Sequence, residues 1–248
     1  MIDLVNPLPV VCNGETTRPG PDPARRTPCK KFKLLKVLRG VSLALLIALG
    51  AASPALGYGY TREEDPLLRA FEAAVRAARA GDFAAATAQV EAVRWQTDEL
   101  KDDVRVDFGP PLRKAHAEGA TAAGIVQAWA NLVYLALLQK FHWNLQERLG
   151  EYHKARPRLE AAQAYYEAAL AGNVRRHDEE RRKVDPKAPS RHDDILAHFA
   201  AARQALGSPG LFGSGARAPD PAAFRTAVVG IAGHLRAVFP GFAHPAAQ

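Results

Sequence analysis

Cysteine and methionine are nearly absent from the sequence: there are two cysteines and one methionine in 248 residues. Met1, Cys12 and Cys29 all lie near the N-terminus, so residues 58–248 contain neither residue type. This part of the chain therefore cannot form disulfides, thiolate metal sites, iron–sulfur clusters or covalent haem attachments, and it has no cysteine nucleophile. Its length nevertheless allows a hydrophobic core that is stable without such cross-links.

Catalytic motifs are absent as well. The serines of residues 58–248 are Ser190, Ser208 and Ser214, and none of them lies in a G-x-S-x-G nucleophile elbow. The glycines of residues 207–215 match neither a dinucleotide-binding motif nor a P-loop, and there is no H-E-x-x-H motif. We therefore predict no catalytic residue, assign no position to cofactor binding because the sequence leaves such residues unknown, and expect a protein that is not an enzyme. An enzyme with a noncovalent cofactor stays open as an alternative, because a missing motif does not exclude activity.

A strong positive charge is missing from most of the chain, although the whole sequence has a formal net charge of +7. Eight of the 33 basic side chains and three of the 26 acidic ones lie in residues 1–57, which leaves residues 58–248 with a net charge of +2. Such a weak overall charge does not attract polyphosphates. We expect no binding to nucleic acid.

The basic N-terminal region has the organisation of a secretory signal peptide, which we assign to residues 33–57. A lysine- and arginine-rich stretch (30–39) precedes an apolar run (41–52), and small residues at Ala55 and Gly57 predict cleavage before Tyr58. The apolar run is much shorter than the roughly 20 residues that span a bilayer, but an uncleaved anchor remains the alternative and would be the protein's one attachment to a membrane. The prediction is export to the periplasm or cell envelope of a bacterium. Residues 1–32 are interpreted as a disordered extension or a misassigned start.

Residues 58–248 are predicted to form one all-α domain, a bundle of about six helices around a long apolar central helix. The region is rich in alanine, leucine, arginine and glutamate, which favour helices, and it shows no sustained alternation typical of strands. Asp82 and Asp220 are placed as helix N-caps, and Pro66 and Pro157 as first helical residues.

The most hydrophobic part of the predicted domain is residues 121–138, in a helix that continues to Leu149. Its polar continuation and the weakly basic flanks favour a buried central helix over a transmembrane one. Two segments are predicted as loops: the highly charged residues 174–190 and the glycine-rich residues 207–218. The aromatic side chains have the spacing of core residues, and a ligand cavity among them remains an alternative.

Histidines and carboxylates are the remaining candidates for chemistry. Asp194 and His198 are four residues apart on one predicted helix, so they share a face and would chelate one divalent ion, with His192 approaching from the preceding cap. Two further rows would supply oxygen and imidazole ligands for iron or copper if the bundle brought them together. Those rows contain Asp98, Asp102, His142 and Glu147. The alternative is that these rows are solvated helix faces, in which case no cofactor is bound.

Three segments resemble the extracytoplasmic helical domains of some bacterial iron-permease systems: FEAAVRAARAGDFAAATAQVEAV (71–93), TDELKDD (97–103) and ANLVYLALLQKF (130–141). The chain lacks the membrane helices of the permease and its R-E-x-x-E motif. The resemblance implies an accessory role in metal uptake and identifies no ligand residue.

Two functional hypotheses follow. The first is an exported, non-enzymatic helical bundle that binds an envelope protein or a small ligand. The second is a metal-binding accessory protein for the uptake of iron or copper.

Overall fold

The computed structural model describes residues 65–210 and 214–245. The predicted extension (1–32) and signal peptide (33–57) lie outside these residues. Within the described ranges the protein is all-α and contains no β-strand, which confirms the predicted fold class. The helices are α1 (Pro66–Arg79), α2 (Phe83–Ala92), α3 (Arg94–Val104), α4 (Gly109–Ala115), α5 (Ala122–Gln146), α6 (Tyr152–Tyr165), a π-helical turn (Tyr166–Leu170), α7 (Ala171–Val184), α8 (Arg191–Ala205) and α9 (Pro221–Val238).

Helices α1 and α2 form an antiparallel hairpin whose ends are set by short-range polar contacts. Asp65 caps α1 by accepting a hydrogen bond from the Leu68 backbone N–H at 3.0 Å, and Asp82 caps α2 in the same way through Ala85 at 2.9 Å. Between the two helices Gly81 has a φ of +79°, a conformation that glycine adopts without strain. The hairpin was predictable because each of these residues acts through the backbone beside it.

Helix α5 lies at the centre of the fold and packs against α1, α3, α4, α6 and α9. Its middle turns, residues 132–137, are fully buried, as is the indole of Trp129. Among the described residues, α5 is the one helix long and apolar enough to cross a membrane, and 61% of its most apolar window is buried inside the fold. The helix is therefore the core helix that the sequence predicted.

The chain from α6 to α7 differs from the predicted path. Helix α6 begins at Tyr152, so Pro157 lies inside the helix and does not start it. A π-helical turn then joins α6 to α7 without a break. Its wider turn changes the helical phase, so that two consecutive residues, Tyr165 and Tyr166, are both buried although they contact different neighbours.

The prediction of a loop over residues 174–190 is wrong for most of its length, because α7 continues to Val184. The charged residues cover one side of a helix whose other side is buried through Val174 and Asp178. Residues 185–190 do form a loop, held by a hydrogen bond from Arg181 to the Pro189 carbonyl at 3.1 Å. Residues 174–190 are strongly polar on average, and this polarity led to the prediction of a loop. Two buried positions four residues apart, Val174 and Asp178, are nevertheless enough to anchor the helix.

Helices α8 and α9 form the second antiparallel pair, and the described part of their connection contains one isolated bridge between Ser208 and Arg217. Asp220 caps α9 as predicted, through hydrogen bonds from two backbone N–H groups. The described residues contain nine α-helices, against about six predicted. The difference arises mainly because one predicted helix is divided at Val93 into α2 and α3, and because α7 replaces most of a predicted loop.

Candidate functional site

A groove of about 710 Å³ opens between α1, α5 and the junction of the π-helical turn with α7. We call it the arginine-rimmed groove. Its apolar surface comes from Phe71 and Val75 of α1 and from Val126 and Ala130 of α5. These pairs are each four residues apart, so each presents one face of its helix.

Small residues keep the groove open on the side of the π-helical turn. Ala168, Ala169 and Gly172 line this wall. A Cβ added at Gly172 would meet nothing within 4 Å, so the space beside this residue is open. Because larger side chains at these positions would fill the groove, the run of small residues determines its volume.

The rim of the groove is positively charged. Arg76 and Arg79 lie three residues apart on α1, and Arg176 faces them from α7, while Glu72 is the carboxylate of the described lining. None of the three arginines forms an ion pair with a carboxylate of the described residues. The groove therefore combines an apolar interior with guanidinium groups that are free to bind an anion.

Two tyrosine hydroxyls fix the π-helical turn that forms the wall. Tyr165 donates a hydrogen bond to the carboxylate of Asp65 at 2.8 Å, which ties the turn to the start of α1. The hydroxyl of Tyr166 lies 2.6 Å from Nδ1 of His192, which ties it to α8. Burial raises the pKa of both phenols, so they remain protonated near neutral pH.

No protein-family model, curated protein or solved structure matches this chain.

The residues predicted as metal ligands on α3 and α5 do not form one site. Asp98 is exposed and lies 3.9 Å from Arg94, and Asp102 is exposed on the same helix. Glu147 accepts two hydrogen bonds from Arg158, at 2.6 and 3.1 Å. His142 lines a different cavity, of about 460 Å³ between α5 and α9, where its buried Nε2 has no hydrogen-bond partner in the described structure.

The predicted ligands on α8 are only partly brought together. His192 contacts the hydroxyl of Tyr166 and does not join Asp194 and His198. Those two residues instead lie beside His234 of α9. His234 was not among the metal ligands predicted from the sequence. The His234 Nε2 lies 3.9 Å from Asp194, and the two imidazole centroids are 5.6 Å apart. In the described part of the chain, no group of three or more histidine or acidic side chains is close enough to hold a metal ion.

His198 is held in place by a glycine of the neighbouring helix. A Cβ at Gly230 would overlap the imidazole ring of His198, so the ring packs directly on the α9 backbone. Burial lowers the pKa of His234, and the Asp194 carboxylate acts in the opposite direction. The three side chains are thus best described as a packed junction between α8 and α9.

A separate buried polar network joins α3 to α5. The Gln96 amide donates to Gln139 at 2.8 Å, and Gln139 donates to Asp103 at 2.6 Å, to the same oxygen that accepts from the Trp143 indole at 3.1 Å. Lys140 lies 4.3 Å above the Trp143 ring, and burial lowers its pKa while Glu99 opposes that change. Within the described residues Oε1 of Gln96 is buried without a hydrogen-bond partner, but the donors and acceptors named above are paired with one another, which indicates a structural role.

The residues of the groove could have been found in the sequence only in part. Arg76 and Arg79 are the basic last turn of α1, a common position for stabilising a helix C-terminus. The run AALAG at residues 168–172 is rich in small residues. Such a run is as typical of a close contact between two helices as it is of the wall of a groove. The approach of Arg176 depends on α7, which the sequence prediction treated as a loop.

Proposed function

We propose that the protein is an exported, non-enzymatic binding protein that holds a small, largely apolar ligand in the arginine-rimmed groove. The observation that carries this proposal is the groove itself, whose apolar floor and volume of about 710 Å³ suit such a ligand. Ligand cavities in proteins have volumes of about 300–1,000 Å³ and mostly apolar linings with a few polar groups.

The position of the groove supports a role in binding. Its floor lies on the core helix α5, and its wall is a π-helical turn, a departure from α-helical geometry that is frequent at functional sites. The described lining offers Glu72 as a carboxylate but no histidine, serine or cysteine beside it, so it favours binding over group transfer. The proposed location outside the cytoplasm rests on the predicted signal peptide at residues 33–57.

A fluorescence titration tests this proposal. N-phenyl-1-naphthylamine, a neutral dye that brightens in apolar surroundings, is added to the purified protein and to the variants Gly172→Trp and Gly172→Ala. We expect saturable binding to the wild type and to Gly172→Ala, because an added methyl group meets open space. Gly172→Trp fills the groove and should abolish binding while its helical circular dichroism and melting temperature stay unchanged. Equal dye binding by a folded Gly172→Trp variant, or no binding to the wild type, would contradict the proposal.

The second candidate function is binding of a divalent metal in an uptake system, which the resemblance to iron-permease domains implies. The observation that favours it is that His234 joins Asp194 and His198 at the junction of α8 and α9. A metal would have to draw these three side chains closer together than they lie now.

Elemental analysis distinguishes the two candidates. Protein purified without a chelator would contain stoichiometric iron or copper under the metal hypothesis, and His234→Ala would remove it while the exposed control His153→Ala would not. Metal-free protein whose melting temperature does not change with added iron or copper would exclude this second candidate.

A further inference from the structure

We propose that the ligand of the arginine-rimmed groove is a single-chain amphiphile with a carboxylate head group, such as a free fatty acid. This inference rests on the proposed function and adds to it the chemical class of the ligand. The apolar chain would lie on the α1 and α5 floor, and the carboxylate would bind the arginines of the rim.

The charge of the rim is the first argument. Arg76, Arg79 and Arg176 meet at one groove from two helices, so three planar donor groups converge where the described structure offers them no carboxylate partner. A guanidinium group matches a carboxylate through two parallel hydrogen bonds. All three arginine side chains are exposed at the edge of a groove whose floor is apolar, so a carboxylate bound there can place its hydrocarbon chain on that floor.

The lining of the groove has an apolar part and a charged part. Phe71 and Ala130 are less than 8% exposed, and Val75 is 9% exposed, so the floor is continuous with the hydrophobic core. A purely polar anion would leave this floor uncovered, and a neutral hydrocarbon would leave the arginines without a partner. An amphiphile matches both parts of the groove at once.

The net charge of the rim limits the charge of the head group that it would bind. Glu72 lies four residues before Arg76 and on the same side of α1, so it reduces the positive charge of the rim. One negative charge on the ligand is better matched to this rim than two. We therefore favour a carboxylate over a phosphate monoester.

Isothermal titration of the purified protein with dodecanoate, dodecanol and dodecyl phosphate, each below its aggregation concentration, tests the inference. We expect dodecanoate to bind at least tenfold more tightly than either of the others. Arg176→Gln should weaken dodecanoate binding about tenfold, since a hydrogen bond to a charged group contributes that much or more, and should leave dodecanol binding unchanged. Arg182→Gln is the matched control, because it removes the same charge from an exposed position of α7 that does not line the groove.

The outcomes separate the inference from the proposed function. Equal affinity for dodecanoate and dodecanol, or equal effects of the two arginine variants, would overturn the carboxylate assignment while binding of the neutral dye still supported the groove. Tighter binding of dodecyl phosphate, or binding to anionic lipid vesicles without binding to monomeric dodecanoate, would also overturn it. If the wild type binds neither the dye nor dodecanoate, the proposed function itself is overturned.

Discussion

The hydroxyl of Tyr165 donates a hydrogen bond to the side chain of Asp65, 2.8 Å away and 100 residues earlier in the chain. The other carboxylate oxygen of Asp65 accepts the N-capping hydrogen bond from Leu68. One carboxylate therefore starts α1 and holds the π-helical turn against it. The contact therefore joins the helix that supplies part of the groove's floor to the turn that forms its wall.

The first prediction concerns the energy of this contact. In a double-mutant cycle, Tyr165→Phe and Asp65→Ala should show a coupling free energy of about 1.5–3 kcal/mol in urea unfolding, because each variant removes the same charge-assisted hydrogen bond. Asp82→Ala removes an equivalent cap from α2 and should combine additively with Tyr165→Phe. Additive effects of Asp65→Ala and Tyr165→Phe would show that the contact contributes little.

The second prediction concerns the buried glutamine pair. Gln139→Leu should lower the free energy of unfolding by about 1–3 kcal/mol, because it leaves Gln96 buried without its acceptor. Gln204→Leu, at an exposed position of α8, should change the stability by less than about 0.5 kcal/mol. Chemical denaturation of the two variants checks this, and equal effects would contradict the role assigned to the α3–α5 network.

The third prediction concerns His116 and pH. Its Nε2 accepts a hydrogen bond from the Trp129 indole at 2.9 Å, which requires the neutral imidazole, and burial lowers its pKa below the ordinary value of about 6.5. The unfolded chain therefore binds this proton at a higher pH than the folded protein does. The contribution to stability is fully present above the unfolded pKa and declines as the pH falls from that value toward the folded pKa.

Urea midpoints measured from pH 8 to pH 5 check the third prediction. His116→Gln keeps an acceptor for Trp129 but cannot be protonated. Its urea midpoint should therefore fall less between pH 8 and pH 5 than that of the wild type. Part of the decline should persist, because burial also lowers the pKa values of His177, His234 and His244. The exposed control His153→Gln should follow the wild-type curve, and a His116→Gln curve parallel to the wild type would contradict the assignment.

The fourth prediction compares two glycines. Gly172→Ala should raise the free energy of unfolding by up to about 1 kcal/mol, since glycine inside a helix is less favourable than alanine and the added Cβ meets open space. Gly207→Ala should be destabilising, because Gly207 has a φ of +74° and its added Cβ would overlap the Arg217 carbonyl. Thermal melts of both variants check the contrast, and a stabilised Gly207→Ala would contradict it.

The parts of the fold that were predictable are those specified by neighbouring residues. Asp82 and Asp220 accept hydrogen bonds from backbone N–H groups two or three residues away. The apolar run of α5 is long enough to predict a buried helix from the sequence. The π-helical turn was not predictable from neighbouring residues, and the contact beside it from Tyr165 to Asp65 joins positions 100 residues apart. For the same reason, sequence spacing selected Asp194 and His198 but missed His234 on the next helix.

The candidate site was harder to predict than the fold. Its arginines look in the sequence like ordinary helix-surface charges, and its small residues look like ordinary packing. In the folded protein these residues of α1, α5 and α7 line one groove, although they come from distant parts of the chain. The side chains with more conspicuous chemistry, such as Glu147 with Arg158, are already paired in the folded protein.

A crystal structure of the protein soaked with dodecanoate that carries a terminal bromine would show directly where the ligand binds. We expect an anomalous bromine signal in the groove beside Val126 and Ala130, with the carboxylate at the arginine rim formed by Arg76, Arg79 and Arg176. A bromine signal in the cavity between α5 and α9, or an empty groove at saturating ligand, would contradict it.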